Sequence, residues 1–269
     1  MSVSQAIILG LLQGATEFFP VSSSGHLVLV PWMLNWPNPG IGYDAIVHLG
    51  TLCAAVLYFR RDIGQLALQW WESFRHLRIE TLEARLSWLV LASAIPAALL
   101  GWFWEDLFQR IFGSPRTVSA FLLLTGVLLV VGERFGHQDM TLGKMGLSDA
   151  LVMGLAQACA LAPGISRSGA TIAAGLFRGL YREDAARFSL LMLIPIIFGA
   201  AGAHLLRATS AGLNAPEITH LAAGFVAASL GGYVAIRFLL NHLKAHSLRP
   251  FAYYCWGLGL IGLITGIVR

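Results

Sequence analysis

Charge is what this sequence has least of. Only 12% of its 269 residues are Asp, Glu, Lys or Arg, about half the ~25% found in an ordinary soluble domain. With 57% hydrophobic residues and a mean hydropathy of +0.69, a soluble core of this size would lack the polar shell that keeps a protein in water. The solvent is therefore largely lipid. Cysteine is scarce too. Cys53, Cys159 and Cys255 lie in apolar stretches with no CxxC or Cys/His ligand spacing, which argues against a disulfide framework or thiolate metal site and makes all three expected buried thiols. The N-terminus has neither the basic start nor the small-residue cleavage site of a secretory signal, so the first apolar segment is expected to be retained.

What the chain does have is long apolar runs. Six of them, roughly 45–59, 86–104, 117–132, 187–206, 217–240 and 251–268, are long enough, or nearly so, to cross ~30 Å of hydrocarbon as helices. Two others, 3–35 and 147–180, carry Pro, Gly and a Ser cluster in their middle. Backbone that breaks at membrane depth is tolerated only where it is buried in protein or lines a cavity. The expectation is an all-α integral membrane protein, with about six transmembrane helices plus two re-entrant helix hairpins. Under this reading 13 of the 18 Lys and Arg residues fall on one side, at 60–85, 134–144, 178–187, 237, 244 and 249. Cytoplasmic loops collect positive charge, so that side is cytoplasmic and both termini lie opposite. The 62–85 segment mixes Trp70, Trp71, Phe74 and Leu77 with charges and reads as a cytoplasmic interfacial helix.

The two broken regions resemble each other. Gly10-Leu11-Leu12-Gln13 precedes Ser22-Ser23-Ser24-Gly25, and Gly154-Leu155-Ala156-Gln157 precedes Ser166-Arg167-Ser168-Gly169 at the same distance, 144 residues further on. Three apolar spans follow each copy, and an odd number of crossings turns the second copy over. The chain thus reads as one transmembrane domain, 1–269, built as an inverted repeat of about 1–135 and 147–269, its hairpins meeting near the midplane.

These hairpins hold the residues suited to chemistry. Glu17 follows Gln13 by four positions, one turn along the same helix face, and an ionisable group inside a span costs ~3 kcal/mol, which marks it as functional. Beside it stand Ser22, Ser23, Ser24, Gly25 and His26, an imidazole placed for proton transfer. The second hairpin offers Gly164, Ser166, Arg167, Ser168, Gly169 and Thr171. Its glycines allow close backbone approach, its helix start can point N–H groups at an anion, and its guanidinium is a planar fork for phosphate oxygens. The bland alternatives are a hydrogen-bonded structural histidine, a Ser-capped helix start and an Arg reaching for the interface.

Gln13-x3-Glu17, the Pro20-to-His26 stretch and Pro163-Gly-Ile-Ser-Arg-Ser-Gly-Ala-Thr171 resemble the signature motifs of the undecaprenyl-pyrophosphate phosphatase family, also called bacitracin-resistance proteins. The resemblance runs along essentially the whole chain, including Asp44–Gly50 and Ala186–Pro195. It implies a multi-pass enzyme of the bacterial inner membrane. Such an enzyme removes the terminal phosphate of undecaprenyl pyrophosphate on the periplasmic side and so recycles the lipid carrier of cell-wall synthesis. The family's activity is associated with Mg2+ or Ca2+, and no organic cofactor is implied. The expected partners are a polyprenyl diphosphate lipid and the bilayer, with no nucleic acid and with a homo-oligomer left open. The family allows Glu or Gln at the first motif position, and this chain has Gln13. A second lipid-phosphatase superfamily also uses Ser-Gly-His and Ser-Arg pieces, but it needs a histidine soon after the Ser-Arg, and here the next is His204.

The expected roles follow. Arg167, with Gly164, Ser166, Ser168, Gly169 and Thr171, holds the diphosphate, joined by Gln13, Ser24 and Gly25. Glu17 is the general base or a cation ligand, His26 the proton-transfer partner, and Ser22 or Ser23 a nucleophile unless water attacks directly. A transporter or flippase for a phosphorylated lipid is the competing class, since inverted repeats with broken helices are common there.

Overall fold

The computed structural model describes residues 1–112, 114–208 and 215–268, leaving out most side chains of 102–112 and those of 200–208 and 215–216. Eleven α-helices and one short 3-10 turn account for the regular structure among the described residues. Hairpin one is α1 (Val3–Phe18) and α2 (Ser23–Leu34); then come α3 (Ile41–Tyr58), α4 (Arg60–His76), α5 (Leu82–Phe112) and α6 (Pro115–Phe135). Hairpin two is α7 (Leu147–Cys159) and α8 (Arg167–Phe177), followed by α9 (Arg182–Ala208), α10 (Ala215–Leu243) and α11 (Arg249–Val268).

Among the described residues five helices are long and apolar enough to span a bilayer: α3, α5, α6, α10 and α11. The sixth expected span, 187–206, falls within the 27-residue α9, whose far end has no described side chains. At 1.5 Å per residue α1, α2, α7 and α8 reach only ~17–24 Å, too short to cross alone. Their breaks have local causes. The residue before a proline avoids the α region, and α1 ends at Phe19, ahead of Pro20, with Phe19 extended at φ −65°, ψ 142°. In hairpin two the chain turns at Gly164, φ +89°, where an added Cβ would run into the Val118 carbonyl of α6. Only glycine fits that turn.

The packing repeats as the sequence does. α1 lies on α10 and α7 on α5; α10 also packs on α3 and α5 on α9. At the first two contacts the matched glycines Gly10 and Gly154 touch backbone, of Gly224 and Ser93 respectively, which is how small residues let membrane helices approach. α6 and α11 run antiparallel, from Arg116 on the Gly266 carbonyl to Trp256 Nε1 on the Leu123 carbonyl. One end of the bundle gathers the charges. There Arg182 pairs with Glu133, Arg178 with Asp149 and Arg187 with Asp62, and the α6–α7 and α8–α9 loops join at Met140 and Leu180. α4 is amphipathic. It packs on α5 where Trp88 Nε1 donates to Ser73 Oγ at 3.0 Å, while Trp71, Phe74 and Leu77 stay exposed.

One expectation is corrected. Of the three cysteines only Cys255 is buried; Cys53 is half-buried and Cys159 exposed. In a chain whose outer surface carries Phe103, Phe198 and Val268 at 72%, 74% and 81% exposure, an apolar neighbourhood in sequence does not mean an interior position, because lipid takes the place of water outside.

Candidate active site

Glu17 is the centre of the site. It is 5% exposed at the end of α1, and Gln13, one turn earlier, donates from Nε2 to its Oε2 at 3.0 Å. Ser23 Oγ, at the first turn of α2, donates to the same oxygen. Arg167, the first residue of α8, forms an ion pair with Oε1 through Nη2. His48 Nε2 of α3 lies 3.7 Å from Oε2. Four helices thus supply the surroundings of one carboxylate, and an uncompensated buried charge would cost several kcal/mol.

The two helix starts are built alike. Ser22 caps α2, its Oγ accepting from Gly25 N at 3.3 Å, and Ser166 caps α8, accepting from Gly169 N at 3.0 Å. Each cap oxygen also meets the serine two residues on, Ser24 at 3.3 Å and Ser168 at 3.1 Å. Ser22 holds φ +68°, a rarely populated conformation for a residue with a side chain, and thereby aims the first turn of α2 at the break. Ser168 Oγ donates across the hairpins to the Phe19 carbonyl at 2.9 Å, and a Cβ added at Gly25 would come into contact with the Gly164 Cα. Thr125 of α6 fixes the second turn, donating to the Gly164 carbonyl at 2.9 Å and accepting from Ser166 N at 3.0 Å. The N-termini of α2 and α8 therefore both open at the Glu17–Arg167 pair. Each brings unsatisfied N–H groups and the positive end of a helix dipole, a combination suited to an anion.

Most of the residues singled out by sequence come together here: Gln13, Glu17, Ser22, Ser23, Ser24, Gly25 and His26 with Gly164, Ser166, Arg167, Ser168 and Gly169. Thr171 stands apart. Its Oγ1 bonds the Arg167 carbonyl at 2.8 Å and Ser189 Oγ of α9 at 2.6 Å, which fixes α8 to α9. His26 is present but turned away from Glu17. Its Nδ1 meets the Ser22 carbonyl and its Nε2 the Tyr254 hydroxyl of α11, each at 2.7 Å. The sequence reading did not single out His48 or Tyr254. His48 lies inside the Asp44–Gly50 stretch already quoted for the family resemblance, and its four-residue spacing from Asp44 was the available signal; Tyr254 gave none.

Among the described residues no group of three or more His, Cys, Asp or Glu could hold a metal, and Glu17 already serves Arg167, Ser23 and Gln13. A protein-built metal cage does not fit this donor set.

The fold is that of a polytopic helical membrane protein, and an acid–arginine pair at two converging helix starts can receive an anionic group. Comparison with known proteins narrows that class. The family model described as "Bacitracin resistance protein BacA" matches residues 6–261, and the chain belongs to that family. It is similar over nearly its full length to proteins named undecaprenyl-diphosphatase. That of Pelobacter propionicus is 44% identical, with 99% of both chains covered. That of Thermomicrobium roseum is 42% identical over 98% of both, and that of Rubrobacter xylanophilus 44% over 97%.

Proposed function

We propose that this chain hydrolyses undecaprenyl pyrophosphate to undecaprenyl phosphate and inorganic phosphate, recycling the lipid carrier for peptidoglycan synthesis and conferring bacitracin resistance. It works in the bacterial inner membrane with its site open to the periplasm; the names of its relatives and the positive charge at the opposite end of the bundle support this. The observation that carries the chemistry is the Glu17 carboxylate, bonded at once to the Ser23 hydroxyl and the Arg167 guanidinium.

In phosphoryl transfer the protein mainly positions groups and stabilises charge. The diphosphate enters at the N-termini of α2 and α8, and Arg167 exchanges Glu17 for its oxygens. Ser23 Oγ then attacks the terminal phosphorus and gives its proton to Glu17; the bridging P–O bond breaks, and undecaprenyl phosphate leaves with the electron pair. Water next attacks the phosphorus, the Ser23 Oγ–P bond breaks, the serine oxygen takes back the proton held by Glu17, and inorganic phosphate departs. Ser23 is preferred over Ser22 because the Ser22 oxygen caps α2 while the Ser23 hydroxyl is already on the base. No step runs through a metal. Mg2+ or Ca2+ would arrive as a counterion of the diphosphate and offset its charge.

The purified protein in detergent, given undecaprenyl pyrophosphate, should release inorganic phosphate, and acid-quenched turnover of substrate labelled in its terminal phosphate should leave label on Ser23. Absence of phosphate release from folded protein would sink the enzymatic reading in favour of transport. Label on another residue would move the nucleophile there, and release with no label on the protein would make water the nucleophile.

A further inference from the structure

His26 is 1% exposed, and both of its ring nitrogens are committed. A backbone carbonyl can only accept, so the 2.7 Å contact to the Ser22 carbonyl requires the proton on Nδ1. In the neutral ring Nε2 then carries the lone pair, and the 2.7 Å contact with Tyr254 is a hydrogen bond that the phenol donates. The planes of the two rings differ by 5° with centroids 5.6 Å apart. Since Nε2 and the hydroxyl are 2.7 Å apart, near-parallel planes cannot be separated by the ~3.5 Å of a stacked pair. The rings meet edge to edge, with the phenol near the imidazole plane, where the lone pair points. Tyr254 is 48% exposed and comes from α11, 228 positions along the chain from His26.

We propose that Tyr254 is a positioning residue of this site. Its hydroxyl holds His26 as the Nδ1–H tautomer and fixes the ring plane, so that Nε2 is the one basic nitrogen, and any proton His26 accepts during turnover arrives there. The inference rests on the phosphatase reading for its role in turnover, but the His26–Tyr254 contact can be tested without substrate.

Nitrogen NMR of protein labelled with 15N-histidine, with His26 identified by the signals lost in His26→Ala, should show one protonated and one lone-pair nitrogen. Tyr254→Phe should move the lone-pair signal or introduce the second tautomer. In the phosphate-release assay Tyr254→Phe should lower kcat about three- to tenfold, the scale of one hydrogen bond, with KM little changed. In a His26→Ala background the same change should cost nothing further, since Tyr254 acts only through that ring. Unaltered His26 signals in Tyr254→Phe, an unchanged kcat, or an equal loss in the His26→Ala background would each overturn the proposal. If the wild-type protein releases no phosphate, the phosphatase reading fails while the nitrogen signals still decide whether Tyr254 holds His26.

Discussion

At the scale of single residues, the pair of amides at matched repeat positions separates function from inheritance. Gln13 donates to Glu17, whereas Gln157, 1% exposed, has no partner for either amide atom among the described residues. The position that answers to Glu17 in the second hairpin, 144 residues on, is Leu161, so Gln157 has no acid to serve. Losing a buried amide that bonds nothing removes a desolvation penalty of ~1–3 kcal/mol. Gln157→Leu should therefore leave phosphate release intact and hold or raise the melting temperature of the detergent-solubilised protein, while Gln13→Leu should lower turnover. Equal losses in the two variants would show that the second amide works too. Arg167 is the other decisive residue. Arg167→Ala should cut kcat by ~100-fold or more and Arg167→Lys should recover only part, because an ammonium lacks the fork that charge developing on the phosphoryl group requires. Ala should also destabilise the fold, since it leaves Glu17 buried without its cation. A Lys variant equal to wild type in turnover would reduce Arg167 to a generic charge.

At the scale of elements, the two broken hairpins were legible because Pro, Gly and Ser clusters interrupt otherwise apolar runs, and no lipid-facing helix tolerates that. The motif residues were legible for the same reason: they sit within a few positions of each break. What sequence could not supply were partners brought in from distant helices. His48 reaches Glu17 from α3, Thr125 ties the second turn from α6 and Tyr254 meets His26 from α11; only His48 had a local signal, its spacing from Asp44, and Thr125 and Tyr254 had none. Thr125 and Gly164 show how much of the site's geometry depends on such ties. Gly164→Ala puts a side chain at φ +89° and against the Val118 carbonyl. The strained conformation alone costs ~1–3 kcal/mol. That variant should lose thermal stability and most activity together, because Ser166 and Arg167 follow directly from the turn. Normal stability with normal activity would mean the hairpin turns by some other conformation.

At the scale of the whole molecule, the charge bias and the packing agree on one polar end. Arg178, Arg182 and Arg187 pair with Asp149, Glu133 and Asp62 at the end shared by the α3–α4, α6–α7 and α8–α9 connections. Arg116, at the start of α6, bonds the Gly266 carbonyl at the opposite end. Excess positive charge is retained in the cytoplasm, so the orientation proposed above puts the polar end and α4 on the cytoplasmic face and the α5–α6 connection in the periplasm. A cysteine-substitution test should start from a chain lacking Cys53, Cys159 and Cys255, so that only the introduced thiol reports. In intact cells a membrane-impermeant maleimide should label Pro115→Cys and Ala211→Cys, the latter outside the described residues. It should reach Glu72→Cys, on the exposed side of α4, only after permeabilisation. The reverse pattern would turn the bundle over, and would move the site's opening to the cytoplasmic side, where a phosphatase could not meet carrier lipid released at the outer face.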